Sequence, residues 1–198
     1  MNVSLPKLLL TFDDGPHPKW TYHVLDLLDD YKVKGIFFCI GHYVERFPEI
    51  TETILEHGHS IGNHTWNHYP FSPLFYQRME VEVERVHTYF VKKYGYAIKT
   101  FRPPWGVLSR SAESNIRSNW GYNILRWDRD IYDYIYPFSR RLSFHRNTIQ
   151  TVQIILMHDG NCFSPLFSKK HMLKSLTYLL QRNGKDVFIV DPEEALMK

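Results

Sequence analysis

Two short stretches, Thr11-Phe12-Asp13-Asp14-Gly15-Pro16 and Asn63-His64-Thr65-Trp66-Asn67-His68, together offer a cation one carboxylate and two imidazoles, with a second carboxylate beside them. Structural zinc sites are usually closed by four protein ligands, whereas three nitrogen and oxygen ligands leave a coordination position for water. A spare acid next to such a water is a candidate general base. His64 and His68 are four apart, a spacing that in a helical turn sets both imidazoles on one side. With eleven histidines in the chain, that spacing alone recurs by chance; the acid pair at a strand end is what turns it toward metal. Asp-Gly-Pro is turn chemistry in its own right, but two adjacent acids ending an apolar strand need compensation, which a divalent ion and the guanidinium of Arg102 would supply.

These residues are far apart in sequence, so the fold must gather them. Lys7 to Phe12 reads as a buried parallel strand stopped by the acids. A helix follows, with Val24, Leu25, Leu28 and Tyr31 on one face and Thr21 as its cap. Gly35–Ile40 and Ser60–Asn63 are the next strands, separated by a helix from Pro48 to His57 that ends at Gly58. Phe75, Met79, Val83, Val86 and Phe90 mark a long amphipathic helix whose glutamates lie early and whose Lys92 and Lys93 lie at its end, as the helix dipole favours. Thr100–Arg102 and Tyr122–Trp127 read as strands flanking a helix from Ser111 to Trp120, and 130–148 as a long loop with at most one helix. Gln153–Met157 is a strand delivering His158 and Asp159; a helix carrying Met172, Leu173, Leu176, Leu179 and Leu180 and a strand from Asp186 to Val190 close the chain. Alternation of strands and helices predicts a parallel sheet, and every polar motif falls where a strand ends. A (β/α) barrel puts all such ends on one face and so gathers Asp13, His64, Arg102, Asp128 and His158. The open doubly wound sheet is the alternative, without its glycine-rich phosphate fingerprint here.

The 198 residues, 43% hydrophobic and 23% charged, predict one domain spanning the whole chain with one sizeable core. A net charge of +3, evenly spread, excludes a nucleic-acid binder, and no stretch reaches transmembrane length. No secretory signal precedes the first motif, so the chain reads as cytoplasmic by default, or as secreted with its leader removed. Cys39 and Cys162 lack the spacing of a redox pair or zinc knuckle and read as free thiols. Aromatic residues make up 16% of the chain, and many lie near the polar motifs, where rings and hydroxyls suit sugar faces; for most of the Phe, core packing is the plainer reading.

Five ordered stretches carry a resemblance: Thr11–Pro16, His64–His68, Arg102-Pro103-Pro104-Trp105, Trp127-Asp128-Arg129-Asp130 with Asp133-Tyr134, and Leu156-Met157-His158-Asp159. They resemble, in order and spacing, the motifs of polysaccharide deacetylases of the NodB-homology, carbohydrate esterase 4 family. The resemblance implies a distorted, TIM-like, seven-stranded (β/α) barrel and metal-dependent removal of acetyl groups from N-acetylated sugars of an oligo- or polysaccharide, of chitin-oligomer or peptidoglycan type. It implies Asp14, His64 and His68 as ligands of a divalent metal, zinc first, with cobalt, nickel or manganese as alternatives. Asp13 would be the base, Arg102 would pair with it, and His158 would be the acid that protonates the leaving amine, its pKa raised by Asp133. The backbone N–H of Trp105 would meet the oxyanion; Leu156 would line the acetyl pocket, and Trp105 and Tyr134 would form walls. Tyr134 departs from the tryptophan usual at that place, which bears on the size and polarity of the pocket.

Other residues take plainer readings. His57 and His59 sit at a predicted helix end, Asp128 and Asp159 read as structural partners, and Trp66 and Tyr69 are balanced between sugar stacking and packing. The same machinery would cleave an O-acetyl ester on a glycan such as xylan. A catalytically silent glycan-binding module and a structural metal protein are the readings from other classes; the base beside the ligands argues against the first.

Overall fold

The computed structural model describes residues 5–69, 73–133, 152–160 and 169–196, with the backbone alone for 73–77. Its centre is β1 (Lys7–Asp13), paired in parallel with β2 (Ile36–Cys39) on one side and β7 (Gln153–His158) on the other. From β2 the sheet continues to β3 (Ser60–Asn63), β4 (Thr100–Phe101) and β5 (Asn123–Ile124); beyond β7 lies β6 (Arg129–Asp130). All these pairings are parallel, and β8 (Phe188–Ile189) joins the start of β1. The two outermost strands, β5 and β6, are joined by residues 125–128 alone. That link spans at most about 17 Å, whereas a flat sheet of seven strands would set its edges about 29 Å apart. The sheet must therefore curl, and it forms the distorted seven-stranded barrel expected.

Alternation along each strand sorts side chains into two layers. Leu8, Leu10 and Phe12 join Phe37, Ile61, Phe101, Ile155 and Met157 in the large core beneath the helices. Leu9, Ile36, Phe38 and Val190 fill the barrel interior as a smaller cluster. Thr11 and Asp13 share the parity of Leu9, so β1 feeds its polar end into the interior above that apolar floor. Gly62 has the same inward parity on β3, and a Cβ there would stand 2.3 Å from the Phe38 ring, so only glycine fits.

The helices are α1 (Trp20–Asp30), α2 (Gly41–Arg46), α3 (Pro48–Glu56), α4 (Pro73–Tyr94), α5 (Arg110–Trp120), α6 (Lys170–Leu180) and α7 (Pro192–Leu196). On α4, Met79, Val83, Val86 and Phe90 are buried as their spacing predicts, and Phe75 falls where side chains are not described. Several expectations need correction. Thr21 lies inside α1 and is not its cap: its hydroxyl accepts the N–H of His17 and donates to Asp159, while His17 Nδ1 accepts the N–H groups of Lys19 and Trp20 at the helix start. Tyr31 ends α1 at 37% exposure and is no core residue. Between Tyr122 and Trp127 only Asn123 and Ile124 pair as strand, because 125–128 bridge the sheet's two ends. The expected loop from 130 to 148 lies mostly outside the described residues, as does Cys162; Cys39 is a buried free thiol. Among the described residues, no helix is long and apolar enough to cross a membrane.

Candidate metal centre and active site

Asp13, at the end of β1, meets Arg102, the residue after β4. One guanidinium nitrogen donates at 2.7 Å to Asp13 and at 2.7 Å to the Thr11 hydroxyl, and the other two reach the carbonyls of Leu125 and Arg126. Arg102 is fully buried, with its guanidinium 4.2 Å from the centre of the Phe38 ring. Burial lowers its pKa and Asp13 raises it. An uncompensated charge here would be costly, so the pair is obligatory: each group is what keeps the other charged.

Asp14 follows with a left-handed backbone, φ 71°. Its carboxylate lies 3.5 Å from His64 Nε2 and 3.4 Å from His68 Nε2. The two imidazoles converge, but by a route other than the helical turn expected. Residues 64–68 form a tight loop in which Thr65 (φ 67°) and His68 (φ 47°) are both left-handed. Side chains hold this loop: the Asn63 amide accepts Thr65 N–H, the Thr65 hydroxyl accepts His68 N–H, and buried Glu82 of α4 accepts both the backbone and the side-chain N–H of Asn67. His64 Nδ1 is 2.8 Å from the Arg102 carbonyl. A carbonyl can only accept, so Nδ1 carries the hydrogen and Nε2 offers its lone pair toward the acids.

Three donor atoms of Asp14, His64 and His68 lie within 4.8 Å of one another. Ligands about 2.1 Å from a tetrahedral ion stand about 3.4 Å apart, close to the two separations from Asp14. Protonation also fits. Burial first, and His64 after it, lowers the pKa of His68 to about 4 against the pull of Asp14, so the ring is neutral and its lone pair free at neutral pH. Burial would raise the pKa of Asp14, but a hydrogen bond from His64 and the fields of His68, His158 and His64, each in its protonated form, outweigh it and hold the carboxyl well below the usual range. Asp13 is balanced by Arg102, and Asp133 by His158. Asp14 is left as a buried carboxylate between two imidazoles, and a divalent cation would complete that charge balance.

His158 ends β7 opposite Asp13, its register partner. Its Nδ1 lies 2.7 Å from Asp133, whose other oxygen accepts the His158 backbone N–H at 2.8 Å. Burial lowers the pKa of His158, but Asp133, by charge and hydrogen bond, and Asp14 and Asp13 more weakly, raise it to about 9. The ring is therefore a held imidazolium.

These groups surround one cleft of about 170 Å³, lined also by Trp105, Trp127, Asp130 and Leu156. Sites that engulf a whole small molecule run to about 300–1,000 Å³, so this one admits an acyl-sized group while the rest of a substrate stays outside. Trp105 stands at the rim, 39% exposed and with φ 63°, its indole N–H donating to the Tyr69 carbonyl and its ring 5.3 Å from that of His68. Leu156, 3% exposed, is part of the apolar lining. Tyr134 lies outside the described residues.

Of the residues given plainer readings, Asp128 pairs through its carboxylate with Ile154 N–H, and buried Asp159 accepts the Thr21 hydroxyl behind the Asp14 loop. His59 is buried on the far side of the barrel, accepting Gly35 N–H. Trp66 is buried beneath Arg85 and packs, with no place in the cleft. The sequence reading gave no role to Trp127 or Asp130, although both stood in a quoted motif. It also missed Thr11, whose parity with Asp13 was the available signal, and Glu82, which had none.

The comparisons agree with this arrangement. Residues 2–125 match the family model described as polysaccharide deacetylase. A peptidoglycan-N-acetylglucosamine deacetylase of Bacillus cereus is 34% identical over 156 residues, covering 77% of this chain and 72% of the relative. A chitooligosaccharide deacetylase of a Bradyrhizobium species is 31% identical over 195 residues, 90% of this chain and 86% of the relative. The solved structure of a family 4 carbohydrate esterase from Streptomyces lividans in complex with acetate superposes with a TM-score of 0.70 at 25% identity, covering 90% of this chain and 88% of that one. Several other curated relatives are longer, and the chain spans less than half of their length. Because the family model covers well over half of the chain and likeness of this degree extends along most of it, the chain belongs to the polysaccharide deacetylase family, the NodB-homology group of carbohydrate esterase family 4.

Proposed function

We propose that this chain is a metal-dependent hydrolase that removes the acetyl group from N-acetylated sugars, of the N-acetylglucosamine kind found in peptidoglycan or chitin oligomers. The observation carrying this reading is the convergence of a neutralised acid (Asp13 on Arg102), a metal-ligand triad (Asp14, His64, His68) and a buried imidazolium (His158 on Asp133) around one acyl-sized cleft. A divalent ion on the triad, zinc or one of cobalt, nickel and manganese, would supply Lewis acidity toward the acyl oxygen and bring the pKa of water to about 7.

The chain's own residues do the rest. Asp13, oriented by Arg102, takes a proton from the water that attacks the acetyl carbonyl. His158 gives its Nε2 proton to the sugar nitrogen as the carbon–nitrogen bond breaks, since an amine is a poor leaving group without it. Leu156 and Trp127 receive the methyl group, and Trp105 supplies a rim wall and the backbone N–H assigned to the oxyanion. The relatives named as deacetylases of peptidoglycan and chitooligosaccharides support the substrate class.

The test is acetate release from a panel of N-acetylated and O-acetylated glycans, with and without chelator. Chelator-sensitive release from the N-acetylated members is expected; release from O-acetyl esters alone would replace this reading with an esterase. Saturable glycan binding with no acetate released at any metal load would leave the silent binding module. His64→Ala and His68→Ala should each lower metal occupancy in dialysed protein.

A further inference from the structure

We propose that Glu82, on α4, is a positioning residue for the metal centre, acting through Asn67 to set where His68 points. The inference rests on the reading that Asp14, His64 and His68 hold a divalent ion.

Glu82 is 8% exposed. Among the described residues no ion pair forms on its carboxylate; instead its two oxygens take the backbone N–H of Asn67 at 2.7 Å and the side-chain N–H of the same residue at 2.9 Å. Burying a carboxylate without a cation is expensive, and hydrogen bonds from neutral donors offset only part of that cost. A purely structural loop anchor could be a neutral amide. Both contacts fall on the residue just before His68, which holds a left-handed φ of 47° that a side chain with a Cβ seldom adopts. On the other side of His68, the Tyr69 carbonyl is pinned by Trp105, and the Asn67 amide also reaches the Tyr69 hydroxyl at 3.3 Å. The strained residue is thus clamped before and after, with the stronger clamp built from α4. Left to itself, the loop would relax His68 toward an ordinary φ and swing its Nε2 from the 3.4 Å approach to Asp14. A third ligand that must be reordered on binding weakens the site, whereas a preordered one does not.

The prediction separates affinity from chemistry. Removing groups that orient metal ligands typically costs about 10–100-fold in metal affinity, so Glu82→Ala should raise the zinc Kd by about tenfold or more. Glu82→Gln, which keeps one acceptor oxygen and loses the other, should fall between Ala and wild type. Zinc Kd is measured by competition with a chromogenic chelator, alongside the visible spectrum of cobalt-loaded protein, which reports ligand geometry, and the melting temperature of metal-free protein. At saturating zinc, kcat for acetate release should return to within about threefold of wild type, because Glu82 touches neither Asp13 nor His158. A zinc Kd within twofold of wild type and an unchanged cobalt spectrum in both variants would overturn the proposal. If Glu82→Ala fails to fold, Glu82→Gln and Asn67→Ala decide it by the same two readouts. Wild-type protein that binds no zinc would instead overturn the metal reading on which the inference rests, so the two failures are distinguishable.

Discussion

Replacing Asp133 with asparagine is the sharpest perturbation of the proposed acid. Four influences act on the His158 imidazolium: burial lowers its pKa, while Asp133, Asp14 and Asp13 raise it, for a net value of about 9 against 6.5 for the free side chain. Asparagine keeps the shape but has one acceptor oxygen for the two donors of His158, Nδ1 and the backbone N–H, and it removes the largest favourable charge and leaves burial opposed only by the weaker fields. The ring should then titrate at or below 6.5, a fall of about 2.5 units, or about 3 kcal/mol. An acid must hold its proton to work. At pH 8 the protonated fraction drops from about 90% to about 3%, so acetate release should fall about 30-fold there and only slightly at pH 5.5. A cation on Asp14 cancels the smaller help that Asp14 gives, which lowers the alkaline limb in both proteins and leaves the Asp133 difference intact. Folding linkage has the same sign: a pKa raised in the folded state adds stability that is fully present below 6.5 and is lost as pH rises through about 9. The assay is kcat/KM for acetate release from pH 5.5 to 10. An alkaline limb that stays within half a unit of wild type in Asp133→Asn would refute both the assignment of His158 as the acid and the account of its pKa.

Other perturbations separate the remaining roles. Asp13→Asn should keep zinc occupancy, measured by elemental analysis, and lose about 10²–10⁴-fold in kcat; near-wild-type turnover would remove Asp13 as the base. Arg102→Met should destabilise the fold by about 3–5 kcal/mol, because it strands Asp13 as a buried unpaired charge, and calorimetry should show a melting temperature lower by about 6–20 °C. Metal-free protein should lose stability as pH falls from about 6.5 toward about 4, because His68 titrates near 4 when folded and 6.5 when unfolded, and the unfolded chain therefore binds the extra proton; urea titrations of wild type and His68→Ala should diverge in that window. Gly160→Ala should fail to fold or lose metal, since its Cβ would fall 1.7 Å from the Asp14 carbonyl oxygen; circular dichroism and zinc content distinguish the two.

Much of the barrel was legible because buried parallel strands are local signals: β1, β2 and β7 each appear as short apolar runs ending in a turn or a polar residue, and β3 as a short stretch leading into the histidine motif. The site was legible because its donors sit at those ends and because five motifs stood in order. What escaped was set by tertiary contact. α2, from Gly41 to Arg46, is only six residues and carries no strong periodicity. β6 exists because Arg129 and Asp130 meet Ile155 and Leu156, not because two charged residues favour a strand. The His64–His68 turn looked helical by spacing, yet its shape depends on Asn63, Thr65 and Glu82, the last of these fourteen residues beyond His68 on another element. Thr21 looked like a cap because threonine favours that place, but a buried Asp159 from the far end of the chain claimed its hydroxyl.

The adjacency of Asp13 and Asp14 poses a problem that the backbone resolves. In an extended strand, neighbours point to opposite faces, so a regular continuation of β1 would place Asp13 inside the barrel with Thr11 and turn Asp14 outward among Phe12 and Leu10. An outward carboxylate would be buried in apolar surroundings, away from both histidines. The left-handed φ of 71° at Asp14 breaks the alternation at that residue and returns its carboxylate to the barrel mouth. Two acids adjacent in sequence thereby share one cleft with different nearest partners, a guanidinium for Asp13, which His64 Nε2 approaches only to 3.8 Å, and two imidazoles for Asp14. In the proposed mechanism those partners are what would allow one carboxylate to serve as base and the other as ligand. The turn needs room at the Asp14 carbonyl, and the side-chain-free Gly160 beyond β7 supplies it. The proposed division of labour between the two acids thus rests on one strained residue and its neighbour across the sheet, and neither carboxylate could have it alone.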